Sequence, residues 1–420
     1  AVHCSMALGA GGPAASARAA DAAPGGARLD EITVTAQRRA ENVQDVPVAV
    51  TAFLPEEIAA RQIQNTRDIG QNVPGVFTRS NTGSAQAGSY FIRGIGQGNQ
   101  IATLEPGIGL YVDDVYIART VFAQRQLLDL ERIEVLRGPQ GTLYGRNATG
   151  GAIKLYSSAP GGEPATRLEG SYGNYERLAV RASHNQPLSD GAALRVSASY
   201  EGQGEGFRDN PDLGRDVNQT DSVGARVSLG LQPTESIEWV LRADYTEMDG
   251  DTTYGTILSD APVFLPDGTL VPTGSFDDKE LERADGSVPL GNDVTDWGVS
   301  SHVDWDLGGM SLKSITGYRD DDNDILIDFN ASGLIVGVTG TFTQFSQEFQ
   351  LESNGDGKLS WIAGLYYFYE DNDSENSLEI PGVLRIANRV KNETSAIAAF
   401  GQATWAVTDR LRLGAGLRYT

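Results

Sequence analysis

Beyond Thr166 apolar and polar residues change places at nearly every step, and that period of two restricts the fold more than any other feature of the chain. Leu194, Val196, Ala198 and Tyr200 alternate with Arg195, Ser197 and Ser199; Val223, Ala225, Val227 and Leu229 alternate with Gly224, Arg226 and Ser228. At the end, Leu411, Leu413, Ala415, Leu417 and Tyr419 alternate with Arg412, Gly414, Gly416 and Arg418. Successive side chains of a strand point to opposite faces, so each segment has one apolar face and one polar face carrying arginines. Two architectures accept such strands. A soluble sandwich turns the apolar face inward, and a closed barrel in lipid turns it outward.

The spacing of the links separates the two. Tight links fall near 186–191 (QPLSDG), 232–236 (QPTES), 307–309 (LGG), 354–358 (NGDGK) and 407–410 (VTDR), and longer polar stretches lie near 203–220, 248–295, 323–340 and 372–393. Short turns alternating with long loops, joining strands of about ten residues, are the pattern of a transmembrane barrel with periplasmic turns and external loops. Trp239, Tyr245, Trp305, Tyr318, Trp361, Tyr369, Trp405 and Tyr419 fall towards strand ends, where an aromatic girdle sits. No run of 18 apolar residues occurs, which excludes a helical span but not a strand-built one. The count reaches about 11 strands by Thr420, against roughly 22 in plugged outer-membrane transporters. An open half leaves lipid-exposed edges with unsatisfied backbone groups. The expected fold for 163–420 is therefore the N-terminal half of an antiparallel transmembrane β-barrel, which does not insert and transport unaided.

Residues 42–162 have a different texture, mixed α and β. Val46, Val48, Val50 and Ala52 begin a strand, and Pro55, Glu56 and Glu57 open a helix with proline in its first turn and acids at the positive end of the dipole. That helix is expected to reach about Ile63, and a shorter one to run from Thr66 to Asn72, closed by Val73-Pro74-Gly75. The segments 89–97 (SYFIRGIGQ) and 106–119 (PGIGLYVDDVYIAR) read as strands with turns. The stretch 131–157, ERIEVLRGPQGTLYGRNATGGAIKLYS, carries most information. Ile133 and Val135, then Ile153 and Leu155, mark two short strands. Between them Gly138, Gly141, Gly145, Gly150 and Gly151 supply positive-φ or close-approach sites, Pro139 fixes a bend, and Arg137, Tyr144 and Arg146 stand among the glycines. The plainest reading of this stretch is a Gly-rich turn of any α+β domain.

As a whole string, 131–157 resembles the end of the plug domain of TonB-dependent outer-membrane receptors, and 89–97 and 106–119 resemble further plug motifs of that family in the same order. The resemblance covers residues 30–160 by motif. It implies an α+β plug followed by the barrel. After the Pro/Gly linker at 24–26 comes LDEITVTAQRR, whose run Ile32, Thr33, Val34, Thr35 and Ala36 is a short extended segment, expected to lack a neighbouring strand and so suited to strand addition onto a partner's sheet edge. It is similar to the TonB box, and within a segment 21–41 it implies capture by TonB, energised by the ExbB/ExbD complex. Arg93, before Gly94, and Arg137, before Gly138, stand where the family's plug arginines pair with glutamates of the inner barrel wall; Glu348 in FSQEFQL is the candidate partner by a similar barrel motif. The docking role fits the high cost of leaving a buried charge unpaired; solvent-exposed arginines are the alternative.

Other constellations carry less. Residues 1–20 are Ala-rich with small-x-small spacings at Ala15-Ser16-Ala17 and Ala17-Arg18-Ala19, as in the remnant of a signal peptide or a disordered tail. Cys4 is the only cysteine and lacks a lipobox before it. His3, His184 and His302 are too scattered for a zinc site. The series Gly94-Ile95-Gly96-Gln97-Gly98 lacks the third glycine of a dinucleotide loop. Asp320, Asp321, Asp322 and Asp324 are expected in a solvated external loop, and 354–357 in a hairpin turn rather than a calcium loop. A net charge of −23 argues against nucleic acid as partner. Nothing supports hydrolysis: there is no nucleophile elbow and no His beside a Ser or Asp motif. What the resemblance implies is active transport in the bacterial outer membrane without catalysis, resident metal or cofactor, in contact with outer-membrane lipid. Ferric siderophores being the common cargo of the resembling families, it implies a small-molecule ferric chelate first, with oligosaccharide, cobalamin or another scarce nutrient as the alternative. A soluble β-rich binding protein and a passive porin are the remaining rivals.

Overall fold

The structure, a computed structural model, describes residues 2–8, 32–81, 84–98, 104–119, 127–252, 263–264, 270–271, 290–328, 334–354, 357–380, 382–408 and 410–420. Its largest element is one antiparallel sheet in which each strand pairs with the next in sequence. After Val2–Leu8 come Ala165–Tyr172, Arg177–Ser189, Ala192–Gln203, Thr220–Thr234, Ile237–Gly250, Asn292–Asp306, Met310–Asp328, Ile335–Ser353, Leu359–Ile380, Leu384–Thr408 and Leu411–Tyr419. Eleven of these follow residue 163, as expected. The tight links of the sequence are the turns between them. Val2–Leu8 is paired with Ala165–Tyr172 at the sheet's edge, an addition the sequence did not suggest. Residues 9–31 of the N-terminal segment lie outside the described residues, as do most of 248–295 and the turn residues 355–356.

Exposure along the strands rejects the sandwich. Val196, Tyr200, Val223, Val227, Leu365, Ile397 and Leu417 are exposed, whereas Ser197, Ser199, Ser228, Gln344, Ser346, Gln350 and Asn372 on the other face are buried. The apolar face points away from the interior and the polar face lines it, which is the arrangement that lipid outside and a plugged lumen inside require. Two aromatic rows lie on the outer face. One holds Tyr245, Trp297, Tyr318, Phe345 and Tyr367, with Trp297 and Tyr318 ring centroids 5.5 Å apart. The other holds Trp305 and Trp405 near the tight turns.

Two expected loops are strand instead. The 323–340 and 372–393 stretches are mostly extensions of Met310–Asp328, Ile335–Ser353, Leu359–Ile380 and Leu384–Thr408, strands of 19, 19, 22 and 25 residues rather than about ten. Polar composition hid them, because a wall that rises above the lipid needs no apolar face. The aspartate cluster is thereby relocated from a loop into a strand. Asp321 is buried on the inner face, and Asp322 and Asp324 are exposed on the outer one.

Inside the wall sits the α+β plug. Its central sheet has the order Ala49–Phe53, Leu130–Arg137, Gly151–Ser157, Ile108–Val112, Val115–Ile117. Ile133 faces Leu155 and Val135 faces Ile153 across the antiparallel pair. These residues meet Phe53, Ile69, Ile92 and Leu110 in the main core. The first helix, Pro55–Ala60, stops earlier than expected. Gln62 turns into the left-handed region at φ 53°, and this drops Ile63 into the core. Thr66–Asp68 and Ile69–Asn72 follow as one capped turn series, with the Asn65 side chain accepting from the Arg67 amide at 3.0 Å. In the Gly-rich stretch, Gly151 is the position with no alternative. Its φ is +150°, and an added Cβ would lie 2.1 Å from the Leu136 carbonyl oxygen.

Candidate functional site

The extended segment Ile32–Ala36 is not free. Thr33–Val34 forms a two-residue ladder with Glu41–Asn42, so the expectation of an unpaired strand is corrected. Val34 and Ala36 are fully buried, while the chain between them is held through Thr35. The Thr35 amide donates to Glu134 Oε1 at 2.9 Å, and its carbonyl accepts from Lys154 Nζ at 3.2 Å and from the Tyr144 hydroxyl at 3.2 Å. The Tyr144 hydroxyl also reaches the Ala36 carbonyl at 2.9 Å. Glu134 and Lys154 stand opposite each other in the register of the two central strands, on the face away from the apolar core. The alternation that buries Ile133 and Val135 therefore aims this charged pair at the segment. The sequence held that signal: two charges interrupt two apolar strands at facing positions.

From Lys154 a chain of charges runs to the barrel wall. Lys154 Nζ lies 3.0 Å from Asp114 Oδ1, Asp114 lies 3.2 Å from Arg38 Nη1, and Arg38 Nη2 lies 3.2 Å from Glu348 Oε2. Both Arg38 and Glu348 side chains are only 4% exposed. Arg38, at φ 63°, also covers the Tyr144 ring, 4.6 Å from its centroid. Burial pushes the Asp114 carboxyl up, but Lys154 and Arg38 outweigh it and hold it well below the usual carboxylate range. Burial works against the Lys154 ammonium too, and Asp114, Tyr156 and Glu134 raise it above its ordinary value. Each charge is thus stable only in the company of the others.

Further contacts seat the plug on the inner wall. Arg119 grips Glu370 through its Nε and Nη2, the Nη2–Oε2 distance being 2.7 Å. Arg195 of the wall holds Asp129 with two bonds of 2.6 Å, and Arg242 lies 3.6 Å from Asp113. Gln344 accepts from the Ala118 amide at 3.0 Å and donates to the Tyr116 carbonyl, capping the exposed edge of the plug's Val115–Ile117 strand. Apolar packing joins them, with Leu143, Tyr144 and Tyr116 against Phe368 and Phe400 of the wall.

The structure places the expected docking arginines elsewhere. Glu348 pairs with Arg38 rather than with Arg93 or Arg137, which corrects that pairing. Arg93 is exposed in a turn at φ 52°, next to Gly94 at φ +83°. Arg137 donates to the Pro74 carbonyl at 3.1 Å, inside the plug. The plug motif residues do come together: Gly138 and Gly145 have positive φ, Gly141–Tyr144 forms one helical turn after Pro139, and the Gly150 amide donates to the Gly107 carbonyl at 3.1 Å. Arg38, Arg119, Asp114 and Glu370 were not singled out by the sequence. Their roles depend on which wall residue each meets, and local pattern does not contain that. Among the described residues no group of His, Cys, Asp and Glu has the geometry of a metal site.

Known proteins with this arrangement are numerous. The TonB-dependent receptor plug domain family matches residues 42–152, and the TonB dependent receptor-like β-barrel family matches residues 166–420. The pesticin receptor of Yersinia pestis is 24% identical over 379 residues, covering 89% of this chain and 53% of that protein. The vitamin B12 transporter BtuB of Vibrio vulnificus is 26% identical over 178 residues, 42% of this chain and 28% of that protein. Among solved structures, the ferric yersiniabactin uptake receptor FyuA from Yersinia pestis superposes with a TM-score of 0.75 at 22% identity, over 88% of this chain and 56% of that one. The ferripyoverdine receptor of the Pseudomonas aeruginosa outer membrane gives 0.74 at 16% identity, over 92% and 53%. The chain spans about half the length of the pesticin receptors it matches.

Proposed function

Because the chain belongs to the TonB-dependent receptor family, we propose that its protein imports ferric siderophores across the bacterial outer membrane with energy delivered through TonB and the ExbB/ExbD complex. The observation that carries this reading is a plug fastened to a polar inner wall by buried ion pairs. A lumen closed in that way does not pass a solute by diffusion, so transport requires work on the plug. Ile32–Ala36 is the segment suited to receive that work, since a strand added to a partner's sheet edge is held by several backbone hydrogen bonds at once. The ferric siderophore class is supported by the named ligands of the FyuA and ferripyoverdine receptors. Cobalamin is the second reading, favoured by the vitamin B12 transporter relative.

Uptake is tested with the complete gene in cells that make no siderophore of their own. Cells are given catecholate, hydroxamate and phenolate chelates of radioactive iron in turn, with cobalamin as a separate arm. The paired control is Val34→Pro, which removes a backbone donor from the added strand. Uptake of one iron chelate that disappears with Val34→Pro is the expected result. Uptake confined to cobalamin overturns the siderophore assignment, and equal uptake by both forms overturns the role of Ile32–Ala36.

A further inference from the structure

The charges between Thr35 and Glu348 form an unbroken relay. Thr35 is held by Lys154, Lys154 by Asp114, Asp114 by Arg38, and Arg38 by the barrel wall at Glu348. Arg38 lies only three residues after Thr35, and its amide donates to the Thr35 carbonyl at 2.9 Å. The two ends of the relay therefore belong to one tight turn. Val34 and Ala36 cannot leave their buried positions without drawing on Arg38, and Arg38 cannot move without exposing Glu348 and Asp114. Asp114 sits at the crossing. It lies in a two-residue turn with Asp113, both in the left-handed region at φ 63° and φ 47°, and its carboxylate is held there by Lys154 and Arg38. A third contact, from the Tyr156 hydroxyl at 3.1 Å, reaches the same oxygen, Oδ1.

We propose that Asp114 is a positioning residue that makes release of Ile32–Ala36 and detachment of the plug from Glu348 a single event. Arg119–Glu370 and Asp129–Arg195 lie outside the relay and hold the plug without touching the segment, whereas Arg39, next to Arg38, ties the same turn to the wall by donating from Nη2 to Ser353 Oγ at 3.0 Å. Charge balance around Asp114 explains the coupling. Once its carboxylate is neutralised, Lys154 and Arg38 face each other in a buried site with too few partners, and the relay opens from its centre. The proposal rests on the reading of Ile32–Ala36 as the partner-binding strand, but its test needs neither cargo nor uptake.

In a Cys4→Ser background, Val34→Cys in the full-length receptor places a thiol at a fully buried position, and its rate of reaction with a membrane-impermeant maleimide in purified, detergent-held receptor reports release. Asp114→Asn is expected to raise that rate at least tenfold, Arg38→Gln likewise, while Asp114→Glu restores most of the protection. Arg119→Gln, which loosens the plug elsewhere, leaves the rate within twofold of the parent. In parallel, the purified periplasmic domain of TonB is expected to bind Asp114→Asn more tightly than the parent without any cargo. Unchanged labelling in Asp114→Asn and Arg38→Gln overturns the proposal, and so does equal acceleration by Arg119→Gln, which would mean general loosening. A siderophore uptake test that fails while this labelling pattern holds rejects the cargo alone.

Discussion

Glu370→Leu offers the sharpest test of how the plug is held. The Arg119 and Glu370 side chains are 7% and 2% exposed, and both guanidinium nitrogens facing the carboxylate are used. Removing the carboxylate leaves a guanidinium in a site with little water, and breaking a buried pair in this way costs about 3–5 kcal/mol. Replacing both partners, as Arg119→Met with Glu370→Leu, removes the stranded charge and is expected to be close to neutral. The coupling energy between the two positions is then about 3 kcal/mol or more. Native-state hydrogen exchange of the Val115–Ile117 amides, which lie beside Arg119, reads it directly. At 1.4 kcal/mol per decade, the single substitution accelerates exchange about 150-fold or more and the double one by less than tenfold. Equal acceleration by the single and double substitutions would refute the argument, because the stranded charge would then not be the source of the cost.

Three further outcomes follow from the same geometry. Leu365→Arg, on an outward face between Trp361 and Tyr369, is expected to cost about 2–4 kcal/mol when the complete receptor refolds into lipid vesicles, and an unchanged refolding energy would contradict a lipid-facing wall. Gly151→Ala places a methyl group against the Leu136 carbonyl, so the central plug sheet loses its exchange protection while the heat-resistant band of the barrel on gels persists. Three groups of the relay bear on the pH response of the Thr35 amide. Asp114, held low, contributes stability that is present above about pH 4 and lost as the pH falls through its folded value; Lys154, raised, contributes below about pH 10 and loses it as the pH rises through its own. Glu348, raised by burial, lowers protection as the pH climbs from its ordinary range to its folded value. Between about pH 5 and 9 a fall in Thr35 protection, corrected for intrinsic exchange, that Glu348→Gln does not remove would contradict the relay.

Much of the architecture was legible because it is written in short periods. Leu194 to Tyr200 and Leu411 to Tyr419 declare their strands, the tight links declare the turns, and the glycines from Gly138 to Gly151 declare a turn series in which Gly138, Gly145 and Gly151 take positive φ and Gly141 has room for a side chain. The tall strands were not legible, since their upper outer face is polar, their inner apolar cluster of Ile325, Ile327 and Phe342 is short, and Asp320 to Asp324 read like any solvated loop. The docking pairs were harder still. Arg93 and Arg137 had the right residue type and the wrong position, because a pairing between residues more than two hundred apart depends on how the plug is rotated within the wall. Lys154 and Glu134 lie between these cases: their facing positions were visible in the alternation, but their target, the backbone of Thr35, was not.

The 22- and 25-residue strands Leu359–Ile380 and Leu384–Thr408 have a consequence for where the lumen begins. At about 3.4 Å per residue and a tilt of roughly 40°, the longer one climbs on the order of 60 Å, more than twice the roughly 25 Å apolar band of such a wall. The excess forms a stiff parapet around part of the mouth. Its outer surface carries the ion pairs Arg389 with Asp373 and Arg385 with Glu375, and acids outnumber bases there, Asp371, Glu379 and Glu393 standing beside the single further cation Lys391. On that side the polar wall therefore continues well past the apolar band, and the lumen lining begins below an acidic rim.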